Sequence, residues 1–121
     1  MVLAIVDDLM FVSKIKAAAS SLGVGLTVAR SLDDALDKMR QSAPSLVILD
    51  LNGTRTDPLA TVAAMKRDHA LSTIPTIGFV SHVRTDVINA ARDSGVDEIL
   101  ARSAFTERLA EILQRDDGSR S

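Results

Sequence analysis

Short, nearly continuous apolar runs alternate with longer amphipathic stretches along this chain, and this alternation restricts the folds it can adopt. Strands buried on both faces appear as uninterrupted apolar runs, whereas helices that cover a sheet carry apolar residues three and four positions apart. The apolar runs, each predicted to be a strand, lie at residues 3–6, 26–29, 46–49, 76–80 and 98–101. Strands that alternate with helices through short links predict an α/β fold, with a doubly wound five-stranded parallel sheet in the order 2-1-3-4-5.

Start and stop signals for helices fall between the predicted strands. Gly23 and Gly95 each follow an amphipathic stretch and are typical of helix ends. Ser31 precedes another such stretch, and Asp33 and Asp34 would then lie in the first helical turn, where acidic residues are favoured. These signals agree with the strand assignment.

Length and composition support a single domain and argue against several classes of protein. The 121 residues suit one domain, predicted at residues 1–114, followed by a polar, disordered tail at 115–121. The absence of cysteine excludes disulfides and zinc–thiolate sites, and three Phe without Tyr or Trp argue against a base-stacking surface. A net charge of -2 argues against direct binding of nucleic acid, and no apolar run is long enough for a membrane span. We therefore expect a cytoplasmic protein.

Three carboxylates follow two strands that are neighbours in the predicted order. Asp7 and Asp8 come directly after the first strand, and Asp50 comes after the third. The carboxyl ends of parallel strands meet at one edge of the sheet, where ligands bind at the reversal of strand order. Two such charges about 4 Å apart repel by about 4 kcal/mol at an effective dielectric constant of about 20, so the cluster must take up a proton or a cation. Because all the ligands are oxygens, we expect Mg²⁺ here.

Two further polar side chains follow the fourth and fifth strands at this edge. Ser81 provides a hydroxyl group, and Arg102 provides a fixed cation that pairs with phosphate-like oxygens. Carboxylate, metal, hydroxyl and cation together favour a phosphoryl group on Asp50. Taken singly, these residues also have ordinary structural uses, since Asp7 or Asp8 and Ser81 would each suit a helix cap, and Asp50 would suit the start of a loop.

These motifs resemble those of the response-regulator receiver domain, the phosphoacceptor module of bacterial two-component signalling. The similar segments are Val6-Asp7-Asp8, Val47-Ile48-Leu49-Asp50-Leu51, Phe79-Val80-Ser81 and the hydrophobic strand before Arg102. The resemblance implies the flavodoxin-like (βα)5 receiver fold, with Asp50 as phosphoacceptor and Ser81 as the switch hydroxyl. The Mg²⁺ ligands that it implies are Asp7, Asp8, Asp50 and the backbone carbonyl of Asn52. It further implies a histidine kinase or phosphotransfer protein as phosphodonor, and a downstream protein as target.

The chain departs from the family pattern at several positions. The fifth strand of the family ends in Lys-Pro, whereas Arg102-Ser103 stand here. Arginine keeps the charge, but it is longer and planar, so its pairing with an acyl phosphate differs from that of lysine. Ile99 replaces the usual aromatic switch residue. His82 replaces the usual small residue after the switch serine and is a candidate gate to the site.

Two other functions stand beside this interpretation. The changes at Arg102 and His82 also suit a pseudo-receiver that keeps the fold for docking and is never phosphorylated. The segment from Asp50 to Thr54 resembles the first motif of haloacid-dehalogenase-type phosphohydrolases, but in that family the acidic pair comes last. We therefore predict a stand-alone receiver that acts as a switch rather than as an enzyme. Its fourth and fifth helices and the strand between them are the predicted output surface.

Overall fold

A computed structural model of the chain describes residues 1–53, 56–81 and 84–117. Its strands are Val2–Ile5 (β1), Leu26–Ala29 (β2), Leu46–Asp50 (β3), Thr76–Val80 (β4) and Glu98–Ala101 (β5). Its helices are Leu9–Leu22 (α1), Leu32–Gln41 (α2), Pro58–Arg67 (α3), Thr85–Ser94 (α4), Arg102–Glu107 (α5) and Leu109–Leu113 (α6), followed by a 3-10 helix at Gln114–Asp117. Strand and helix alternate from β1 to α5, as the apolar pattern predicts.

The strands form one parallel sheet of five strands in the order β2-β1-β3-β4-β5, which confirms the predicted topology. Within this sheet Ile5 of β1 is opposite Leu49 of β3, and Asp50 is opposite Phe79 of β4. Residues that follow β1, β3 and β4 therefore emerge side by side at one edge. We call this edge, at the carboxyl ends of the strands, the carboxyl edge.

Two apolar layers cover the faces of the sheet. One layer packs against α1, α5 and α6, and the other packs against α2, α3 and α4. Side chains alternate along a strand, so Val2 and Ala4 of β1 belong to the first layer, and Leu3 and Ile5 belong to the second. Burial on both faces explains why the central strands are continuous apolar runs.

All three aromatic residues of the chain meet in the layer that contains α1. The ring centroid of Phe79 lies 4.9 Å from that of Phe11 and 4.9 Å from that of Phe105, and the other two centroids are 5.9 Å apart. These distances fall in the range of favourable edge-to-face and offset contacts. The cluster joins α1, β4 and α5 close to the carboxyl edge.

The ends of the helices agree with the signals in the sequence. Gly23 and Gly95 follow α1 and α4 with positive φ angles of 70° and 108°, a conformation that a residue without a β-carbon adopts easily. The Ser31 hydroxyl accepts a hydrogen bond from the backbone N–H of Asp34 at 3.1 Å and so caps α2. Within the described part of the chain, no helix combines the length and apolar character that crossing a membrane requires.

Regular structure continues past the predicted domain boundary at residue 114. Gln114–Asp117 form a 3-10 helix, and the Arg115 guanidinium lies 3.0 Å from the Glu98 carboxylate. Glu98 also pairs with Arg108 at 3.3 Å, so one carboxylate holds two arginines near the end of the chain. The remainder of the predicted tail, residues 118–121, lies outside the described residues.

Gly78 lies in the middle of β4 and leaves room for the side chain of Leu51. A β-carbon at position 78 would lie 2.7 Å from Leu51 Cδ1 and 2.8 Å from Cγ. We expect Gly78→Ala to lower the free energy of unfolding by about 1–3 kcal/mol, because Leu51 or the strand must shift to make room. Urea denaturation followed by circular dichroism measures this loss.

Gly25→Ala is the matched control for this substitution, since a β-carbon there has no atom within 4 Å. We expect it to change the free energy of unfolding by less than about 0.5 kcal/mol. In a double-mutant cycle, Gly78→Ala and Leu51→Ala together should cost less than the sum of the two single changes. Additive costs would show that the two residues do not clash.

Candidate functional site

Asp50 ends β3 in the middle of the carboxyl edge and is only 7% exposed. Its Oδ1 accepts a hydrogen bond from the backbone N–H of Asn52 at 3.0 Å. Burial raises the pKa of Asp50, and the charges of Asp7 and Asp8 add to this effect, while the Asn52 bond and the charge of Arg102 oppose it. The Asn52 hydrogen bond and the charge of Arg102 therefore do not fully offset the cost of burying the ionised carboxylate. A cation close to Asp50 would stabilise its charged form.

Asp8 caps α1 with one carboxylate oxygen and contacts an arginine with the other. Oδ1 accepts hydrogen bonds from the backbone N–H groups of Met10 at 3.0 Å and Phe11 at 3.2 Å, and Oδ2 lies 3.2 Å from Arg102 Nη2. The Phe11 hydrogen bond, together with Arg102, lowers the pKa of Asp8. The capping role considered for this residue is confirmed, and it coexists with a contact inside the site.

Arg102 is the first residue of α5 and follows β5 directly. Besides its contact with Asp8, its Nη1 donates a hydrogen bond to Ser81 Oγ at 3.4 Å, and its guanidinium carbon lies 4.2 Å from the ring centroid of Phe11. The guanidinium therefore bridges the end of β4 and the start of α1. It acts on Asp50 through its charge, whereas its hydrogen bonds go to other residues.

Ser81 follows β4 and is held from two sides. Its backbone N–H donates to the side-chain oxygen of Asn52, and its hydroxyl accepts from Arg102. The capping role considered for Ser81 is wrong, because α4 begins only at Thr85 and its N-cap position is Arg84. The side-chain role of Asn52 was missed from the sequence, where only its backbone carbonyl was predicted to be used.

Asp7 lies on the β1 side of Asp50, next to Gly53. A β-carbon at Gly53 would lie 3.1 Å from the backbone oxygen of Asp50 and 3.6 Å from Asp7 Oδ1, so glycine allows the loop to pass close to both residues.

Across residues 1–53, 56–81 and 84–117, no three His, Cys, Asp or Glu side chains are grouped so as to hold a metal ion. The predicted ligands share an edge, but the oxygens of Asp8 face α1 and Arg102. Metal binding by these residues stays a prediction.

Three further positions singled out in the sequence have different outcomes. Ile99 is partly buried and packs against the apolar layer that contains α3 and α4. Ser103 is exposed in the first turn of α5. The candidate gate His82 lies outside the described residues. The role of Phe11 as the surface beneath Arg102 was not predicted, and the sequence signal that could have found it is an aromatic residue three positions after the acidic pair.

Comparison with known proteins assigns this arrangement to a family. Residues 2–114 match the family model described as the response regulator receiver domain. The chain belongs to this family. Over 86 residues, this receiver domain is 26% identical to the response regulator protein VraR of Staphylococcus saprophyticus, and the match covers 71% of the chain but only 40% of VraR.

Solved structures show the same fold. The phosphorylated cyanobacterial phytochrome response regulator RcpA superposes with a TM-score of 0.79 at 24% identity, covering 93% of this chain and 87% of RcpA. The Mn²⁺-bound form of the response regulator Rcp1 gives a TM-score of 0.78 at 18% identity, covering 92% and 89% of the two chains. These likenesses confirm the flavodoxin-like receiver fold.

The raised pKa of Asp50 makes the stability of the receiver domain depend on pH. The protonated carboxyl stabilises the fold below the unfolded-state value of 3.8, and this contribution is lost as the pH rises through the higher folded-state pKa. Asp50→Asn should therefore unfold at a higher urea concentration than the wild type at neutral pH. The gain should disappear as the pH falls to about 3.8.

Urea midpoints measured across this pH range in EDTA test the expectation. Asp37→Asn, which changes an exposed carboxylate of α2, is the control and should leave the neutral-pH midpoint close to that of the wild type. Equal midpoints for Asp50→Asn and wild type at neutral pH would contradict the cost assigned to burying the charged Asp50.

Proposed function

We propose that this receiver domain is a phosphoacceptor switch of two-component signalling that accepts a phosphoryl group on Asp50 with Mg²⁺. The observation that carries the proposal is the burial of Asp50 at the carboxyl edge, beside two further carboxylates, Asp7 and Asp8. A carboxylate in this position serves as a nucleophile when a cation offsets the charge around it. Family membership and the likeness in fold to the phosphorylated RcpA support the same function.

The donor would be a phosphorylated histidine of a kinase or phosphotransfer protein. A carboxylate oxygen of Asp50 attacks the phosphorus atom, a phosphorus–oxygen bond forms, and the phosphorus–nitrogen bond breaks. The imidazole that leaves takes up a proton and becomes neutral histidine. The backbone N–H of Asn52 holds Asp50 in place for this attack through its hydrogen bond to Oδ1.

The residue types around Asp50 provide the donor chemistry that Mg²⁺ requires, although the Asp8 oxygens would have to turn from α1 and Arg102 to reach the ion. Asp7, Asp8, Asp50 and the backbone carbonyl of Asn52 would hold the ion, and these hard oxygen donors are the kind that Mg²⁺ prefers. When bound, the ion would offset negative charge at the site and on the transferred phosphoryl group. Burial, helped by the charges of Asp7 and Asp8, raises the pKa of Asp50, and a bound cation would favour its ionised form. The Mn²⁺ reported for Rcp1, a protein with the same fold, supports a divalent cation here.

Ser81 and Arg102 would couple phosphorylation of Asp50 to a change in conformation. Both side chains are already within hydrogen-bonding reach of each other at 3.4 Å, and both would turn toward the phosphoryl oxygens. The paired N–H groups of a guanidinium suit two such oxygens. A differential stabilisation of a few kcal/mol is enough to shift a two-state equilibrium of this kind.

The signal would leave through contact with a downstream protein. We propose α4, β5 and α5 as the contact surface, since Arg102 begins α5 and Ser81 precedes α4. The ion pairs of Glu98 with Arg108 and Arg115 tie this surface to the C-terminal end of the described chain. Because Arg102 begins α5, a shift of Arg102 would move α5, which lies between β5 and the arginines that pair with Glu98.

A pseudo-receiver that docks without phosphorylation is the second candidate. The observation that favours it is the contact of Arg102 with Asp8 and Ser81, which satisfies the guanidinium without any phosphoryl group. In that case the contacts among Asp8, Ser81 and Arg102 at the carboxyl edge would stabilise the fold and would not change with a signal.

Beryllofluoride, a mimic of the phosphoryl group, distinguishes the two candidates in the purified protein. With Mg²⁺ present, we expect beryllofluoride to shift backbone amide signals of Asp7, Asp8 and Ser81 and of the exposed face of β5. Acetyl phosphate with Mg²⁺ should add the mass of one phosphoryl group. Asp50→Asn should abolish both effects, because it removes the nucleophile.

The matched control is Asp37→Asn, an exposed carboxylate substitution on α2 that should respond as the wild type does. Unchanged spectra and mass in the wild-type protein would exclude phosphorylation under these conditions and favour the docking function. Shifts that persist in Asp50→Asn would show that the mimic binds elsewhere.

A further inference from the structure

We propose that Arg102 is a built-in competitor for the divalent cation, so that entry of the ion at Asp8 releases both Arg102 and the Ser81 hydroxyl. The inference rests on the proposed function, because it concerns the cation that would assist phosphorylation of Asp50. It goes further by coupling cation binding to the switch serine before any phosphoryl group arrives.

The carboxylate of Asp8 is engaged on both oxygens in this state. Oδ1 accepts two backbone hydrogen bonds from the first turn of α1, and Oδ2 contacts the Arg102 guanidinium at 3.2 Å. A divalent ion on Oδ2 would lie beside a guanidinium of like charge, and the two repel at that distance. Asp8 Oδ2 can therefore coordinate the ion without this repulsion only after the Arg102 guanidinium moves away.

Three contacts, two at the start of α1 and one at the end of β4, hold Arg102 in its place. Its guanidinium donates to Asp8 before α1 and to Ser81 after β4, and its central carbon lies over the ring of Phe11, 4.2 Å from the centroid. The planar group suits all three at once, whereas a lysine ammonium is a compact charge that cannot stack or span in the same way. Arginine at this position therefore provides a bridge that lysine would not.

The bridge connects the cation site to the switch hydroxyl. Ser81 Oγ accepts from Nη1 of the same guanidinium whose Nη2 contacts Asp8. Movement of the group away from Asp8 also breaks its bond to Ser81. The cation then acts as the first of two signals, and the phosphoryl group acts as the second.

Manganese titration of the wild-type chain and three variants tests the competition. Arg102→Lys keeps the positive charge but loses the bridge, and we expect it to bind Mn²⁺ about fivefold more tightly than wild type, the gain from releasing one partly exposed ion pair. Arg102→Gln loses both and should bind at least as tightly as Arg102→Lys. Calorimetry gives the affinities.

Lys14→Gln is the matched control for charge alone. Lys14 lines the same cleft of about 230 Å³ as Asp8, Phe11 and Arg102, so its removal changes the local charge without touching the bridge. We expect an affinity change of less than about twofold in this variant. If Arg102→Lys binds as the wild type does, and Arg102→Gln gains no more than Lys14→Gln, the competition is disproved.

A second readout follows Arg102 itself. The Nε–H proton of Arg102 should carry an upfield ring-current shift from Phe11, and Mg²⁺ should remove that shift as the guanidinium leaves the ring. If Mg²⁺ moves the amides of Asp7 and Asp50 while the Arg102 signal stays in place, this inference fails and the proposed function stands. If no variant binds Mn²⁺ and Mg²⁺ changes no signal, both fail.

Discussion

Parallel pairing of the central strands in a single register is the constraint on which the whole site depends. The groups that face one another at the carboxyl edge come from positions as far apart in sequence as 8 and 102, and no local structure could bring them together. The pairing of Ile5 with Leu49 and of Asp50 with Phe79 aligns the strand ends. A shift of one residue along β3 would exchange its buried faces as well as move Asp50, so the core and the site are specified by the same pairing.

The sequence predicted the fold well because strands that are buried on both faces consist almost entirely of apolar residues. Each of the five residues of β3 and each of the five of β4 is buried, and such strands have almost no polar positions to obscure the pattern. The helix signals at Gly23, Ser31 and Gly95 were also confirmed, because they depend on local backbone chemistry and not on distant parts of the chain. The order of the strands followed from the number of units and the hand of their crossovers.

Within the site, the sequence predicted which residues gather but not how they contact one another. It did not predict that Asp8 would divide its two oxygens between α1 and Arg102, or that the side chain of Asn52 would hold Ser81. These choices depend on side-chain rotamers and on the angle at which a helix leaves the sheet, and neither has a signature in a pattern of residue types. The 3-10 helix at Gln114–Asp117 likewise has no signature in the polar sequence of this segment, where Arg115 pairs both with the nearby Glu111 and with the distant Glu98.

The aromatic cluster has a consequence for how the molecule can be observed. The chain contains three Phe and no Tyr or Trp. The ring of Phe11 lies beneath the Arg102 guanidinium, and the rings of Phe79 and Phe105 cluster with it. Near-ultraviolet circular dichroism arises from aromatic side chains held in fixed packing. In this protein the entire aromatic signal therefore originates from one place, next to Asp8 and Arg102. The domain carries its own optical probe of the site, with no label and no background from aromatic residues elsewhere.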